Sequence, residues 1–142
     1  MKIEYRVGFD LQDFSRVHAW LTATYWSPGI SRERVERGFA NSACCVGAFA
    51  DDQQIGVARV VSDMSRFAYV ADVYVAEAYR RRGIGKEMVR QLMTNPSLSD
   101  VTTWCLLTLD AQDVYRSLGF DVTRNPERFM ICYDRAKVTD ET

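Results

Sequence analysis

The sequence predicts one mixed α/β domain, an α+β arrangement in which helices cover both faces of a single mixed sheet. The first half holds short strand-like runs joined by tight turns, which predicts consecutive antiparallel hairpins. From position 67 onward a strand, an amphipathic helix and a further strand follow one another, which predicts a parallel crossover. The length of 142 residues fits one domain, and the 47% hydrophobic content predicts a packed core.

The first half begins with an alternating strand and continues through two amphipathic helices into a hairpin. Asp10 is a suitable N-cap for a helix whose apolar stripe extends from Leu11 to near Tyr25. Ser31 is placed to cap a second helix, and the turn 51–53 separates two apolar runs. The predicted strands of this half are 3–7, 43–50, 55–61 and 67–75.

The second half is predicted from one helical stripe and from several turn signals. The helix that begins near Ile84 places its apolar residues on one face and stops before Pro96. Asp110 is a candidate cap for a short helix over 112–118, which Gly119 ends. The predicted strands are 101–109, 120–123 and 129–133, and the polar residues after them form a tail.

Composition excludes several classes of function. A formal net charge of −1 gives no field that would recruit nucleic acid, and no apolar run is long enough to span a membrane. The only histidine is His18, on a helical stripe where we expect packing, and no pair of cysteines has Cys-x-x-Cys spacing, so we expect no metal. We expect the four cysteines to be reduced thiols in a cytoplasmic protein.

A basic turn with two glycines connects the strand 67–75 to the following helix. A helix that starts at such a turn offers unpaired N–H groups and the positive end of its dipole to an anion. The turn lacks the Gly-Lys-Ser/Thr ending of a P-loop and the third glycine of a dinucleotide fingerprint. Phosphate is the expected anion, and a solvated basic surface turn is the alternative. The turn consists of Arg80, Arg81, Arg82, Gly83, Ile84, Gly85 and Lys86.

Two stretches resemble one known family. The spacing Arg-x-x-Gly-x-Gly from Arg80 to Gly85 resembles the pyrophosphate-binding motif of the GNAT superfamily of acyl-CoA-dependent N-acyltransferases. The spacing of Ala111, Tyr115 and Gly119-Phe120 resembles a second GNAT signature on the far side of a strand. The resemblance implies a GNAT domain over 1–135 with central antiparallel strands and a splayed parallel pair, followed by a tail over 136–142.

The same resemblance implies acetyl-CoA as cosubstrate. Its pyrophosphate would contact the turn from Arg80 to Lys86, and its pantetheine arm would pair with backbone groups across Val73, Tyr74 and Val75. Many family members have an asparagine seven residues before the tyrosine, where this chain has Thr108. The Thr108 hydroxyl is the expected replacement contact to the cofactor.

Acetyl transfer from a thioester to an amine needs a proton for the departing sulfur and a neutral amine. The resemblance implies Tyr115 as the general acid; core packing is the alternative role. Because a tyrosine has a higher pKa than a thiol, the proton transfer is slightly uphill unless the site lowers the Tyr115 pKa, as nearby arginines can do. Asp72 is the carboxylate nearest the turn in sequence and a candidate base. Asp72 can instead pair with an arginine such as Arg59, and a water chain can deprotonate the amine.

The expected acceptor is a primary amine on a small molecule or a protein. Two acids and two aromatic residues suit a cationic amine through charge pairing and cation–π contact. The candidates are Tyr25, Trp26, Asp63 and Asp72. The alternative function is a non-catalytic module that senses or binds acyl-CoA. Exposed final strands would allow two subunits to pair as a homodimer.

Overall fold

The computed structural model describes residues 2–134. It contains one five-stranded sheet with the strand order β1-β2-β3-β4-β5. The first four strands pair antiparallel, and β5 pairs parallel with β4, as the sequence predicted. The strands are β1 (Ile3–Val7), β2 (Cys44–Ala50), β3 (Gln53–Ser62), β4 (Phe67–Val75) and β5 (Thr103–Leu106).

Helices pack on both faces of the sheet and enclose two apolar clusters. The α-helices are α1 (Phe14–Leu21), α2 (Arg32–Ala40), α3 (Ile84–Met93) and α4 (Gln112–Arg116). Helix α3 buries Met88, Val89 and Leu92 against one face of the sheet. Helices α1 and α2 bury their apolar stripes against the other face. The predicted fold class, a mixed sheet between helices, is therefore confirmed.

The first helix differs from the prediction at both ends. A short 3-10 turn occupies Phe9–Leu11, and α1 begins only at Phe14 with Asp13 as N-cap. The Asp13 carboxylate accepts from the backbone N–H of Arg16, so the cap predicted at Asp10 was wrong. The helix ends at Leu21, four residues before Tyr25, and the backbone then folds into turns. The Thr24 hydroxyl donates a hydrogen bond to the Leu21 carbonyl and stabilises these turns.

The predicted C-terminal strands are absent from the described part of the chain. Residues 120–123 and 129–133 have no strand pairing, and β5 ends at Leu106 rather than at position 109. A strand requires a neighbour for its backbone N–H and C=O groups, and within residues 2–134 neither segment has one. The predicted tail over 136–142 lies outside the described residues. Among the described helices none is long and apolar enough to cross a membrane.

Strand β4 carries an irregularity near its end. The register with β3 shifts between Val57 and Arg59, so β4 has one extra residue there. Asp72 lies within this bulge and has a left-handed backbone with φ of 54°. Such a φ is unusual for a residue other than glycine, and bulges of this kind often redirect a side chain beside a functional site.

Candidate active site

The end of β4 has one open edge. Pairing between β4 and β5 extends only from Phe67 opposite Thr103 to Val70 opposite Leu106. The last residues of β4 pair with β3 on one side, while no described strand faces them on the other. The Val75 carbonyl accepts a hydrogen bond from Nε of Arg80 at 2.8 Å. The parallel pair is therefore splayed, with backbone groups available beside the basic turn.

The basic turn places the start of α3 at this open edge. Arg81 and Gly83 both have left-handed φ values, 65° and 76°. Gly83 is the N-cap of α3, and its conformation is one that glycine adopts without strain. No side chain caps the helix, and the first backbone bond within it runs from the Glu87 N–H to the Gly83 carbonyl. The N–H groups of the first turn thus remain available to an anion.

Gly85 lies where the helix start approaches the β4 edge. A Cβ built on Gly85 would lie 3.6 Å from Cγ2 of Val75 and 3.7 Å from Cγ1 of Val73. These are ordinary contact distances, so the fold itself accepts an alanine at this position. The absence of a side chain instead leaves space between the turn and β4, where an extended ligand would pass from one to the other.

A cleft rich in aromatic side chains, here called the aromatic cleft, opens beside the end of β4. Its volume is about 420 Å³, within the range of about 300–1,000 Å³ that small-molecule sites occupy. The Trp20 and Tyr74 rings stack at 5.2 Å, and the Arg80 guanidinium lies 5.2 Å from the Tyr74 ring centre. Its lining comprises Trp20, Ala23, Thr24, Tyr25, Trp26, Val73, Tyr74, Val75 and Arg80.

Asp72 connects the loop that carries Trp26 to the sheet through hydrogen bonds from both of its carboxylate oxygens. Its Oδ2 accepts from Nε of Arg59 at 2.7 Å, and its Oδ1 accepts from Nε1 of Trp26 at 3.0 Å. The ion pair is mostly buried, with 15% of the Asp72 side chain exposed. Both oxygens are thus engaged, one by a cation and one by the tryptophan whose ring lies against Tyr25.

Tyr115 lies on α4, at the margin of the core cluster that also contacts Val73 and Val75. Its ring makes an edge contact with Phe120, and no described residue bonds to its hydroxyl. Burial raises the pKa of the Tyr115 hydroxyl, and no arginine counteracts that shift. The expectation that arginines would lower this pKa was wrong, and the raised pKa makes the hydroxyl a weaker proton donor than an exposed tyrosine.

Thr108 and Asp63 each bond to the backbone of a turn. The Thr108 hydroxyl accepts from the Ala111 N–H at 3.0 Å, just before α4. Asp63 accepts from the N–H groups of Phe67, Ser65 and Arg66, which lowers its pKa to about 2. Asp63 precedes β4, and the nine residues of that strand separate it from the basic turn by about 25 Å. It does not join the aromatic cleft.

The structure therefore gathers most of the residues selected from the sequence, but not all. Tyr25, Trp26 and the end of β4 line one cleft with Arg80, whereas Tyr115 and Thr108 line a second cavity beside β5. Sequence reasoning missed Trp20 as a lining residue of the aromatic cleft. Trp20 lies next to the buried stripe of α1 in sequence, which gave no sign that its ring would stack on Tyr74.

Within residues 2–134, His18 and the cysteines have structural surroundings rather than catalytic ones. A ring nitrogen of His18 lies 3.0 Å from the Ile30 carbonyl, so His18 holds the loop that precedes α2. The four cysteines are free thiols, and burial raises the pKa of Cys45 to about 11. No cluster of three metal-ligating side chains occurs within residues 2–134.

Comparison with known proteins agrees with this geometry. The sequence profile of the Acetyltransferase (GNAT) family matches residues 9–120. An acetyltransferase assigned to the GNAT family from Xanthomonas campestris is 31% identical, with 98% of each chain covered and a TM-score of 0.89. No curated protein matches the chain. The profile covers most of the chain, and the chain therefore belongs to the GNAT acetyltransferase family.

More distant structures share the fold. An acetyltransferase from Deinococcus radiodurans is 20% identical, with 99% of this chain and 94% of that chain covered and a TM-score of 0.77. A predicted acetyltransferase from Clostridium acetobutylicum, solved with acetyl-CoA, is 19% identical, with 93% and 96% covered and a TM-score of 0.71. Membership of the family implies transfer of an acyl group from acetyl-CoA.

Proposed function

We propose that this protein transfers an acetyl group from acetyl-CoA directly to a primary amine that enters through the aromatic cleft. The observation that carries the proposal is the uncapped start of α3 beside the unpaired edge of β4. The start of α3 can bind an anion, and the edge of β4 can pair with an extended chain that carries amides. Coenzyme A contains a pyrophosphate followed by the amide-bearing pantetheine arm, so one molecule would occupy both features.

The residues present fit the cosubstrate. The N–H groups at the start of α3 would bind the pyrophosphate, with charge from Arg81, Arg82 and Lys86, all of which are exposed. The pantetheine amides would pair with the open edge of β4 at Val73 and Val75. The Val75 carbonyl now accepts from Arg80, so that guanidinium would move to contact phosphate when the edge pairs.

The chain's own groups then position the acceptor and move protons. Acetyl-CoA supplies an acetyl group activated as a thioester. The Tyr115 Oη, protonated at neutral pH like any tyrosine, would donate its proton to the departing sulfur. Burial raises its pKa, which makes it a weaker acid than an exposed tyrosine, so the transfer would depend on the basicity of the departing thiolate. A backbone N–H at the β4 edge would stabilise the charge that develops on the carbonyl oxygen.

We assign deprotonation of the amine to water in the open cleft rather than to Asp72. Both Asp72 oxygens accept hydrogen bonds, from Arg59 and Trp26, which orients that carboxylate toward the sheet and the loop. The aromatic rings of the cleft suit an amine with an apolar or aromatic body, whose ammonium form can contact a ring face. The proposal places this activity in the cytoplasm and requires no metal, nucleic acid or membrane.

Calorimetry with acetyl-CoA tests the cofactor site. Gly85→Ala inserts a methyl group between the turn and β4, where the protein tolerates it, so we expect a folded variant with at least tenfold weaker binding. The matched control is Gly38→Ala, since a Cβ there would also meet only ordinary contacts, the nearest at 3.7 Å from Arg59. Equal affinities for the two variants would contradict the assigned path of the cofactor.

Release of free thiol with a panel of primary amines tests the catalytic role. We expect Tyr115→Phe to lower kcat about 100-fold or more while acetyl-CoA binding stays constant. Tyr5→Phe is the control, because Tyr5 is also partly buried against the same core cluster and its pKa is also raised by burial. If the parent protein binds acetyl-CoA but acetylates no amine, the alternative of an acyl-CoA-sensing module replaces the enzyme.

A further inference from the structure

One wall of the aromatic cleft is a stack of planar groups. The Tyr74 ring stacks on Trp20 with 23° between the ring planes, and the guanidinium of Arg80 lies over the Tyr74 ring. The guanidinium of Arg16 lies 5.3 Å from the Trp20 ring centre, and its Nε donates to the Gln54 carbonyl at 2.9 Å. The two rings, here called the Tyr74 platform, are therefore held in place by contacts that do not involve Arg80.

Arg80 is the member of this stack whose position depends on the cosubstrate. Its Nε donates to the Val75 carbonyl at 2.8 Å, a group on the edge that the pantetheine arm would pair with. Arg80 is exposed and belongs to the basic turn, so the pyrophosphate would attract its guanidinium away from β4. Its departure would uncover the surface of the Tyr74 ring that it now covers.

The charges around the aromatic cleft limit the acceptor further. Among the described residues that line the cleft, Arg80 is the one charged side chain, and none is a carboxylate. Asp72, which bonds to Trp26, has its other oxygen paired with Arg59. A second ammonium group on the acceptor would lose hydration without gaining an anionic partner, which costs free energy. The cleft therefore suits an amine with one ionisable nitrogen rather than a polyamine.

We propose that Arg80 occupies, in the free protein, the surface of Tyr74 on which a planar aromatic group of the acceptor binds, so that the acceptors are aromatic monoamines. A guanidinium and an aromatic ring are both flat and both stack on an aromatic face, so a surface that accepts one also accepts the other. Another part of the lining is aromatic as well, where Tyr25 and Trp26 meet edge to face at 5.0 Å. This inference rests on the proposed function, because it names the class of amine that enters the same cleft.

Calorimetry with amines tests the class of acceptor in the presence of coenzyme A, which lacks the acetyl group and so permits no turnover. The probes are phenethylamine, cyclohexylethylamine, which has the same carbon skeleton without a π face, and spermidine, which carries additional charge. We expect phenethylamine to bind about fivefold more tightly than cyclohexylethylamine, and spermidine to bind more weakly than either. Without coenzyme A, the affinity for phenethylamine should fall about fivefold, because Arg80 then covers the platform.

Substitutions at the platform test the assigned surface. Tyr74→Leu removes the aromatic face and should abolish the preference for phenethylamine over cyclohexylethylamine, whereas Tyr74→Phe should retain it. Tyr79→Leu is the matched control: the Arg82 guanidinium lies 5.6 Å from the Tyr79 ring centre, and Tyr79 is not among the residues that line the cleft. It should leave the preference unchanged. In the absence of coenzyme A, Arg80→Ala should bind phenethylamine about fivefold more tightly than the parent does.

The outcomes separate this inference from the proposed function. A parent that binds cyclohexylethylamine or spermidine as tightly as phenethylamine overturns the inference. An affinity for phenethylamine that Arg80→Ala leaves unchanged, or a preference that survives in Tyr74→Leu, overturns it as well. If phenethylamine instead shows the expected preference but is not acetylated from acetyl-CoA, the inference stands for a binding site and the proposed transfer fails.

Discussion

The ion pair between Asp72 and Arg59 provides a direct test of which interaction stabilises the structure around the aromatic cleft. Asp72→Asn keeps the shape of the side chain and suits the left-handed backbone, because asparagine tolerates positive φ. It removes the charge that faces Arg59 at 2.7 Å in a partly buried site. Any loss of stability therefore reports the ion pair rather than a change in packing or backbone strain.

The expected loss in the free energy of unfolding depends on the hydrogen bonds that Arg59 and the new asparagine retain. Hydrogen bonds to charged groups contribute about 1.5–3 kcal/mol, and breaking a fully buried pair costs more. Arg59 keeps bonds to the Ser42 hydroxyl and the Gly38 carbonyl, and the asparagine oxygen can still accept from one donor. We therefore expect a loss of about 1–2 kcal/mol in the free energy of unfolding. For a domain of this size that lowers Tm by about 3–8 °C.

The chain offers a matched control for this substitution. Asp52 also has a left-handed φ, 65°, and pairs with Arg6 at the same 2.7 Å, but 89% of its side chain is exposed. Since exposed ion pairs contribute little, Asp52→Asn should leave the urea midpoint unchanged within error. Equal losses in the two variants would refute the role assigned to burial. If Asp72→Asn instead keeps its stability and loses turnover that returns at high pH, Asp72 is the general base.

Two further predictions concern a charged turn before β4 and a glycine within strand β2. Asp63 has a pKa of about 2 in the folded state, below its ordinary 3.8, so its stabilising effect is complete above about pH 4 and is lost as the pH falls toward 2. Asp63→Asn should therefore flatten the decline of the urea midpoint between pH 4 and pH 2; a curve parallel to the parent would contradict this. Gly47→Ala should lower the free energy of unfolding by about 1–3 kcal/mol, because its Cβ would meet the buried, hydrogen-bonded side chains of Gln12 and Gln54. Thermal unfolding measures this effect, and an unchanged Tm would show that the glutamine pair can move.

Local sequence patterns predicted the helices and turns, because the backbone hydrogen bonds of these elements form between residues close in sequence. The stripe from Ile84 to Met93 and the stop before Pro96 defined α3. Helix α4 ends at Arg116 with Ser117 as C-cap, so the predicted end at position 118 was wrong, and Gly119 follows with a left-handed φ of 99°. The basic turn could be predicted because its charges and its glycine spacing lie within seven consecutive residues, 80–86. The predicted strands over 120–123 and 129–133 failed for the converse reason: a strand is stabilised by a neighbour, and hydrophobic alternation does not say whether one exists.

The amino-acid sequence by itself determined the family, the basic turn at the start of α3 and the alternation that places helices on both faces of a sheet. These properties depend on neighbours a few positions apart. Only the tertiary structure decided that both oxygens of Asp72 are bonded, by Arg59 and Trp26, and that burial raises the pKa of Tyr115. It alone also revealed that Trp20 stacks on Tyr74, because packing and desolvation depend on residues that are distant in sequence and meet only when the chain folds.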